Sequence, residues 1–197
     1  HFPTRGRNLL RVQGDLLAAH ALGVRNLFVV MGDPTHIGDY PNAADNYDIV
    51  PSGLVRLIKQ SLNQGSDWAG NQIGQPTNFL VSCALNLNAA DPDREIRVLR
   101  KKLENGADYL ISQPIYDVAI YERFVARYEA QHGPLEVPVL VGLLPLYSAR
   151  HATFLHNEVP GITIPEGVMA RIREAGEDAP VEGVRIAGEL ANRLRTM

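Results

Sequence analysis

Three apolar runs, at 78–84, 109–111 and 138–144, begin about 30 residues apart, the length of one βα unit, with helix-patterned segments between them. No other feature constrains the fold as much. Strands connected through helices lie parallel, with right-handed crossovers. Two architectures satisfy that: a doubly wound open sheet and a (β/α)8 barrel. No Gly-x-Gly-x-x-Gly or Walker loop follows any strand, which weighs against a nucleotide-binding open sheet. Every strand ends in polar or Gly/Pro residues, as in a barrel whose strand ends all face one site. A whole barrel takes about 250 residues. The 197 residues here hold four recognisable strands, and the chain opens on His1 rather than methionine. The first helix follows no strand and the last precedes none. The expectation is an α/β fold, a (β/α)8 TIM barrel cut at both ends, forming one partial domain over residues 1–197.

The earliest strand, 26–32, is the apolar run Asn26-Leu27-Phe28-Val29-Val30-Met31, and it stops at Gly32-Asp33-Pro34. It delivers a carboxylate to the C-terminal end of a buried strand, where parallel α/β proteins bind ligands. Helices are expected over 5–22, with Gly23 as the stop, and around Leu54, Leu57, Ile58 and Leu62. A further helix starts from Asp91 or Asp93 as cap, buries Ile96, Leu99 and Leu103, and ends at Gly106. Another carries Tyr121, Phe124, Val125 and Tyr128. Three more follow the last strand, from Ser148 to about Asn157, from Pro165 and from Pro180. The stretches 34–52 and 64–77 are polar and Gly-rich. Loops longer than about 12–15 residues are uncommon unless functional, and the first of these follows Asp33 directly.

Composition removes several classes of function. The net charge is −3 with both signs interspersed and no basic stripe, which argues against a nucleic-acid partner. No apolar run approaches the roughly 18 residues of a membrane helix, and no signal peptide is expected. The single cysteine, Cys83, has no partner for an internal disulfide and fits a reducing compartment, hence a cytoplasmic location. Its apolar flanks mark it as an inert core thiol. The six histidines lack the i, i+4 zinc spacing with glutamate, so no metal is expected. There is no Gly-x-Ser-x-Gly elbow, and no lysine ends a strand as a Schiff-base enzyme would need.

Four places remain for chemistry. Asp33 is either a turn-former bonding nearby amides or a working carboxylate. Asn86 and Asn88 follow the second strand, as an Asn turn with left-handed backbone or as ligand contacts. Gln113 follows the third strand. Its amide both donates and accepts, which suits a heterocycle edge, or it caps its own loop. Lys101 and Lys102 lie late in a helix, as a solvated face complementing the helix dipole or as a pair of cations for phosphates.

Taken in order along the chain, five segments resemble the methylenetetrahydrofolate reductase family. They are His1-Phe2-Pro3-Thr4-Arg5, Met31-Gly32-Asp33-Pro34, the stretch from Gly106 through Asp108-Tyr109-Leu110-Ile111-Ser112-Gln113-Pro114, Gly142-Leu143-Leu144-Pro145-Leu146, and Gly161-Ile162-Thr163-Ile164-Pro165. The segment Phe154-Leu155-His156-Asn157-Glu158-Val159-Pro160-Gly161 looks most like the reductase half of bifunctional homocysteine methyltransferase–reductase proteins. The resemblance implies an eight-stranded barrel holding FAD at its strand ends. NADH or NADPH reduces the flavin and leaves, and 5,10-methylenetetrahydrofolate then accepts hydride to become 5-methyltetrahydrofolate. That ping-pong oxidoreductase chemistry belongs to one-carbon metabolism and methionine biosynthesis. It also implies a homo-oligomer with a small-molecule folate substrate.

Carried over by position, Asp33 is the catalytic candidate, close to flavin and pterin, biasing the flavin's redox balance and holding the pterin ring. His1, Met31, Gly32, Asp33, Asn86, Asn88, Lys101 and Lys102 fall at FAD contacts, the lysines near the phosphates. Asp33, Gln113, His151 and Leu155 fall at substrate contacts, Leu155 where some members carry a folate-stacking phenylalanine that Phe154 replaces. The chain departs from the family at Pro3-Thr4, at Gly6 and at Val98, where some members present a polar FAD contact. The family's general acid, a glutamate on the first barrel strand, has no counterpart here, so the fragment alone is expected to be inactive. Two other readings stand beside this one: a non-catalytic barrel-derived module that pairs with another chain, and a different barrel enzyme acting on pterin or carbonyl substrates.

Overall fold

The computed structural model describes all residues, 1–197. Five parallel strands form one sheet: β1 (Phe2–Pro3), β2 (Asn26–Val30), β3 (Leu80–Leu85), β4 (Tyr109–Pro114) and β5 (Val139–Gly142). Their order in the sheet is their order in the chain. A doubly wound sheet reverses its strand order at a switch point. None occurs here, so the strands follow barrel order, five of the eight that close a barrel. The register pairs Phe2 with Val29 and Pro3 with Val30, then Asn26 with Leu80 and Val29 with Cys83.

The expectation of four strands is corrected to five, because β1 precedes the first helix. At two residues, with a proline, β1 is too short to show alternation. Its pairing continues past its end, where Thr4 and Arg5 donate their N–H groups to the carbonyls of Val30 and Met31. That pairing also keeps residues 5–8 out of the helix expected from residue 5.

The helices are α1 (Leu9–Ala21), α2 (Pro51–Arg56), α3 (Pro92–Glu104), α4 (Val118–His132), α5 (Ala149–Glu158), α6 (Glu166–Ala175) and α7 (Ala179–Arg195). Most begin on a side-chain cap that satisfies an otherwise orphaned amide. Asn8 accepts from Arg11 N at 2.8 Å, Asp91 from Arg94 N at 2.9 Å, Asp117 from Ala119 N at 3.0 Å and Ser148 from His151 N at 3.1 Å. Asp91 thus caps α3, while Asp93 takes a bidentate ion pair from Arg127. Beyond Arg56, α2 widens into a π-helical turn (Leu57–Ser61) and tightens again at Leu62–Gln64. No helix is long and apolar enough to cross a membrane.

The chain divides into two compact units. The first comprises His1–Ala84 and Arg97–Leu110. Its core is built by Val12 and Leu16 of α1, Leu27 and Val29 of β2, Leu54 to Leu62, and Val81 and Cys83 of β3. Burial raises the Cys83 thiol to about 11, which keeps it protonated and inert at neutral pH. Lys59 Nζ bonds both oxygens of Asp108 at 2.8 and 2.9 Å, and Asp108 also accepts the Val81 amide at 2.7 Å. This ion pair ties the π-helical turn to the N-terminal ends of β3 and β4. The second unit comprises Leu85–Ile96 and Ile111–Met197. Its core gathers Tyr116, Leu146, Ala152, Leu155, Ile162, Ile164, Met169, Ile172, Ile186 and Leu190.

Candidate functional site

In the first unit, the C-terminal ends of β1 and β2 carry the early candidates. Gly32 adopts φ +85, and a Cβ there would lie 3.2 Å from Pro3 and 3.3 Å from Arg5. The left-handed backbone and the close approach both require glycine. The next residue, Asp33, is exposed and makes no hydrogen bond or ion pair with the protein. Its carboxylate therefore bonds no turn amide, and the turn-former reading is not what the structure adopts. That task falls to Asp45, which accepts from Arg5 Nη1 at 3.1 Å and from Thr35 N at 3.4 Å. With Asp48 accepting from Leu9 N at 2.7 Å, it folds the long loop back on the exit of β1.

Met31 is half-buried, its sulfur accepting from Thr4 Oγ1 at 3.3 Å. The ring of His1 is exposed and sits edge-on to Phe28 at 5.1 Å. The two lysines of α3 separate. Lys101 is exposed, whereas Lys102 is only 6% exposed and its Nζ donates to the Ala84 carbonyl at 2.7 Å. Neither a solvated face nor a free pair of phosphate-binding cations describes Lys102, whose ammonium is spent on the Ala84 carbonyl and pins α3 to β3.

In the second unit, three of the candidate amides meet. Gln113, at the end of β4, has its Oε1 fully buried with no hydrogen-bond donor. A buried acceptor left unmade costs about 1–3 kcal/mol, so such an atom calls for an explanation. Asn86 Oδ1 accepts from Asn88 N at 3.1 Å, and Glu95 Oε1 accepts from Asn86 N at 3.2 Å. This is the expected Asn turn, but without left-handed backbone, since no residue other than glycine has positive φ. Asn88 Nδ2 donates to Thr163 Oγ1 at 2.6 Å. Gly161 (φ +84) lies over both amide heads. A Cβ there would run into Gln113 Oε1 and come within 2.9 Å of the Asn86 side chain.

The backbone beneath Gln113 is equally tight. Ser112 Oγ donates to the Gln113 carbonyl at 2.8 Å and accepts the Gly142 amide at 3.0 Å. A Cβ on Gly142 would stand 2.8 Å from the Ser112 carbonyl oxygen. Only glycine lets β5 close on β4 at this level, which fixes the direction in which Gln113 leaves the strand.

The remaining candidates are His151 and Leu155. His151, in the first turn of α5, stacks on Tyr147 with centroids 3.9 Å apart, and burial pushes its ring below the usual histidine value, toward the neutral form. Leu155 is 7% exposed and belongs to the core of its unit, so its side chain is committed to packing; its neighbour Phe154 is 55% exposed. Sequence reasoning did not single out Gly161, Thr163, Ser112 or Gly142 as parts of the site. The Pro160-Gly161 pair marks a turn, but nothing in it names the amides it covers.

The family model for methylenetetrahydrofolate reductase matches residues 1–194. Methylenetetrahydrofolate reductase 1 of Schizosaccharomyces pombe is 24% identical over 186 residues, covering 93% of this chain and 29% of the relative. Methylenetetrahydrofolate reductase 2 of Saccharomyces cerevisiae is 26% identical, covering 90% of this chain and 28% of the relative. Methylenetetrahydrofolate reductase (NADH) 1 of Arabidopsis thaliana is 21% identical, covering 98% of this chain and 33% of the relative. The chain thus spans about a third of the length of the curated relatives it matches. A solved structure of an uncharacterized protein from Clostridium thermocellum, which binds two copies of 5-methyl-5,6,7,8-tetrahydrofolic acid, superposes with a TM-score of 0.46 at 15% identity, covering 94% of this chain and 76% of that one. The match to the family model, over nearly the whole length, places the chain in the methylenetetrahydrofolate reductase family.

Proposed function

We propose that this chain carries part of the catalytic barrel of a flavin-dependent enzyme that reduces 5,10-methylenetetrahydrofolate to 5-methyltetrahydrofolate, with NADH or NADPH as reductant in a ping-pong sequence. Family membership supports the reaction class. The observation that carries the folate side is the buried, donorless Gln113 Oε1. A pterin edge presents N–H donors beside ring acceptors, and a primary amide answers both at once. The protein supplies no donor of its own, so the bond is left for a ligand to make.

FAD, when bound, supplies the hydride carrier between nicotinamide and folate. The donor set fits it. An exposed Asp33 carboxylate follows the sharply bent Gly32 backbone at the exit of β2, and an exposed Lys101 ammonium lies in the last turn of α3. Lys101 meets a phosphate charge, while His1, Met31 and Gly32 shape the cofactor's surroundings. Asp33 holds negative charge near the flavin, which disfavours the anionic reduced form and tunes its potential. Lys102 acts from behind by holding α3 against β3. In the second unit, Asn86 and Asn88 orient the segments around Gln113, and His151 offers the substrate a neutral ring. Leu155 supports that region through packing, and the exposed Phe154 ring is the one placed to stack. We also propose a cytoplasmic homo-oligomer.

Titrating FAD and 5-methyltetrahydrofolate separately into the protein tests this reading. Flavin fluorescence should be quenched on binding. Gln113→Leu should weaken folate binding about 10-fold or more and leave FAD affinity unchanged. A protein that binds neither molecule ends the proposal. Folate binding without flavin binding favours the different barrel enzyme acting on pterins.

A further inference from the structure

The Gln113 acceptor is not merely unpaired; it is covered. The strap 159–164, between α5 and α6, passes over it with Gly161 at the tip, so close that any side chain at that position would overlap Oε1. A ligand donor must come within about 3 Å of an acceptor, and the strap occupies that approach. Three bonds hold the strap. Ile162 N closes its turn on the Val159 carbonyl at 3.2 Å. Ile164 N donates to His156 Nδ1 at 3.0 Å. Asn88 Nδ2 reaches across from the β3 side to Thr163 Oγ1 at 2.6 Å, in an exposed position. Val159 packs against the core and Ile162 and Ile164 are buried in it, so the strap is rooted on both sides of the Pro160-Gly161 tip, of which Pro160 is exposed.

We propose that this strap is a gate over Gln113, with Gly161 as its tip and the Asn88–Thr163 bond as its latch; the inference rests on the reading of Gln113 as the folate contact. The closed form leaves a buried acceptor unmade, and the open form lets water or ligand satisfy it. The unmade bond, worth about 1–3 kcal/mol, offsets part of the cost of opening, and loss of the one exposed latch bond shifts the balance further toward the open form. Gly161 is a positioning residue. Its missing side chain lets the strap close, and its left-handed backbone makes the turn.

The test uses Thr163→Val, which removes the latch acceptor at nearly constant volume, with Thr163→Ser as the variant that keeps it. In the ligand-free protein, hydrogen exchange at the Ile162 amide should quicken roughly two- to tenfold in the valine variant, as loss of one hydrogen bond implies. It should be unchanged in the serine variant. In stopped-flow mixing with 5-methyltetrahydrofolate, the association rate should rise by the same factor. Unchanged exchange in Thr163→Val overturns the latch. Faster exchange with an unchanged association rate overturns the gate, because Gln113 then reaches its ligand without the strap moving. If no variant binds the folate, the proposed function fails, and the exchange experiment alone decides whether the strap is latched as described.

Discussion

Helix α7 contains two glycines whose replacement by alanine should have opposite effects. At Gly188 an added Cβ meets nothing within 4 Å. Alanine there gains helix propensity, about 0.5–1 kcal/mol. For a protein of this size that raises the melting temperature by about 2–4 °C per kcal/mol. At Gly183 the same methyl would overlap the Leu146 carbonyl oxygen and stand 2.7 Å from the Leu146 backbone nitrogen and carbonyl carbon. The obstacle is backbone, which cannot rotate away as a side chain can. Helix α7 must retreat from the loop that follows β5, loosening Ile186 and Leu190 in the core of the second unit. Overpacking of this kind costs about 1–3 kcal/mol and sometimes more. The propensity gain offsets part of it, so the net loss is about 1–2 kcal/mol or greater, a fall of several degrees. Thermal melts of G183A and G188A followed by circular dichroism measure both signs on one helix. A G183A protein that melts at or above the unmodified protein would refute the close approach of α7 to Leu146.

Two further outcomes follow from buried groups. Burial holds the Cys83 thiol at about 11 against an ordinary 9.0, and the Tyr116 phenol, which donates to the Leu144 carbonyl at 2.9 Å, at about 12 against 10.0. Both must stay protonated in the folded chain, so their contribution is intact below pH 9 and is lost as the pH rises from 9 toward 12. Urea midpoints should fall across that window, and Cys83→Ala should remove the part between 9 and 11; a flat profile contradicts the burial. In the first unit, Asp108→Asn should cost about 1–2 kcal/mol, because it uncouples Lys59 and weakens the acceptor for Val81 N in a site about a quarter exposed. A denaturant midpoint equal to that of the unmodified protein would show the ion pair to be idle.

What the sequence made legible is what local chemistry decides. Asp117 and Ser148 cap their helices because a short polar side chain reaches amides two or three residues on, and that geometry needs no tertiary partner. Gly23 and Gly106 stop α1 and α3 for the same kind of reason, each with positive φ. The barrel order of the strands was legible as spacing. The two-residue β1 was not, because its only signature is a register against Val29 and Val30. Lys102 shows the same limit: a lysine late in a polar helix reads as solvated until the helix is docked and its ammonium meets the Ala84 carbonyl.

The candidate site divides along the same line. Asp33 and Gln113 could be named as candidates because strand ends are where parallel α/β proteins place working groups. Their states could not be named in that way. Whether Asp33 bonds a turn amide depends on how the long loop folds, and there Asp45 is the residue that accepts from the Thr35 amide and from Arg5. Whether Gln113 is satisfied depends on Gly161, far along the chain, whose backbone closes over it without offering a donor. An N–H facing Gln113 Oε1 would have made the amide a structural element. The absence of that bond, in a place packed so tightly that only glycine fits, is the observation on which the proposal of Gln113 as a ligand contact rests.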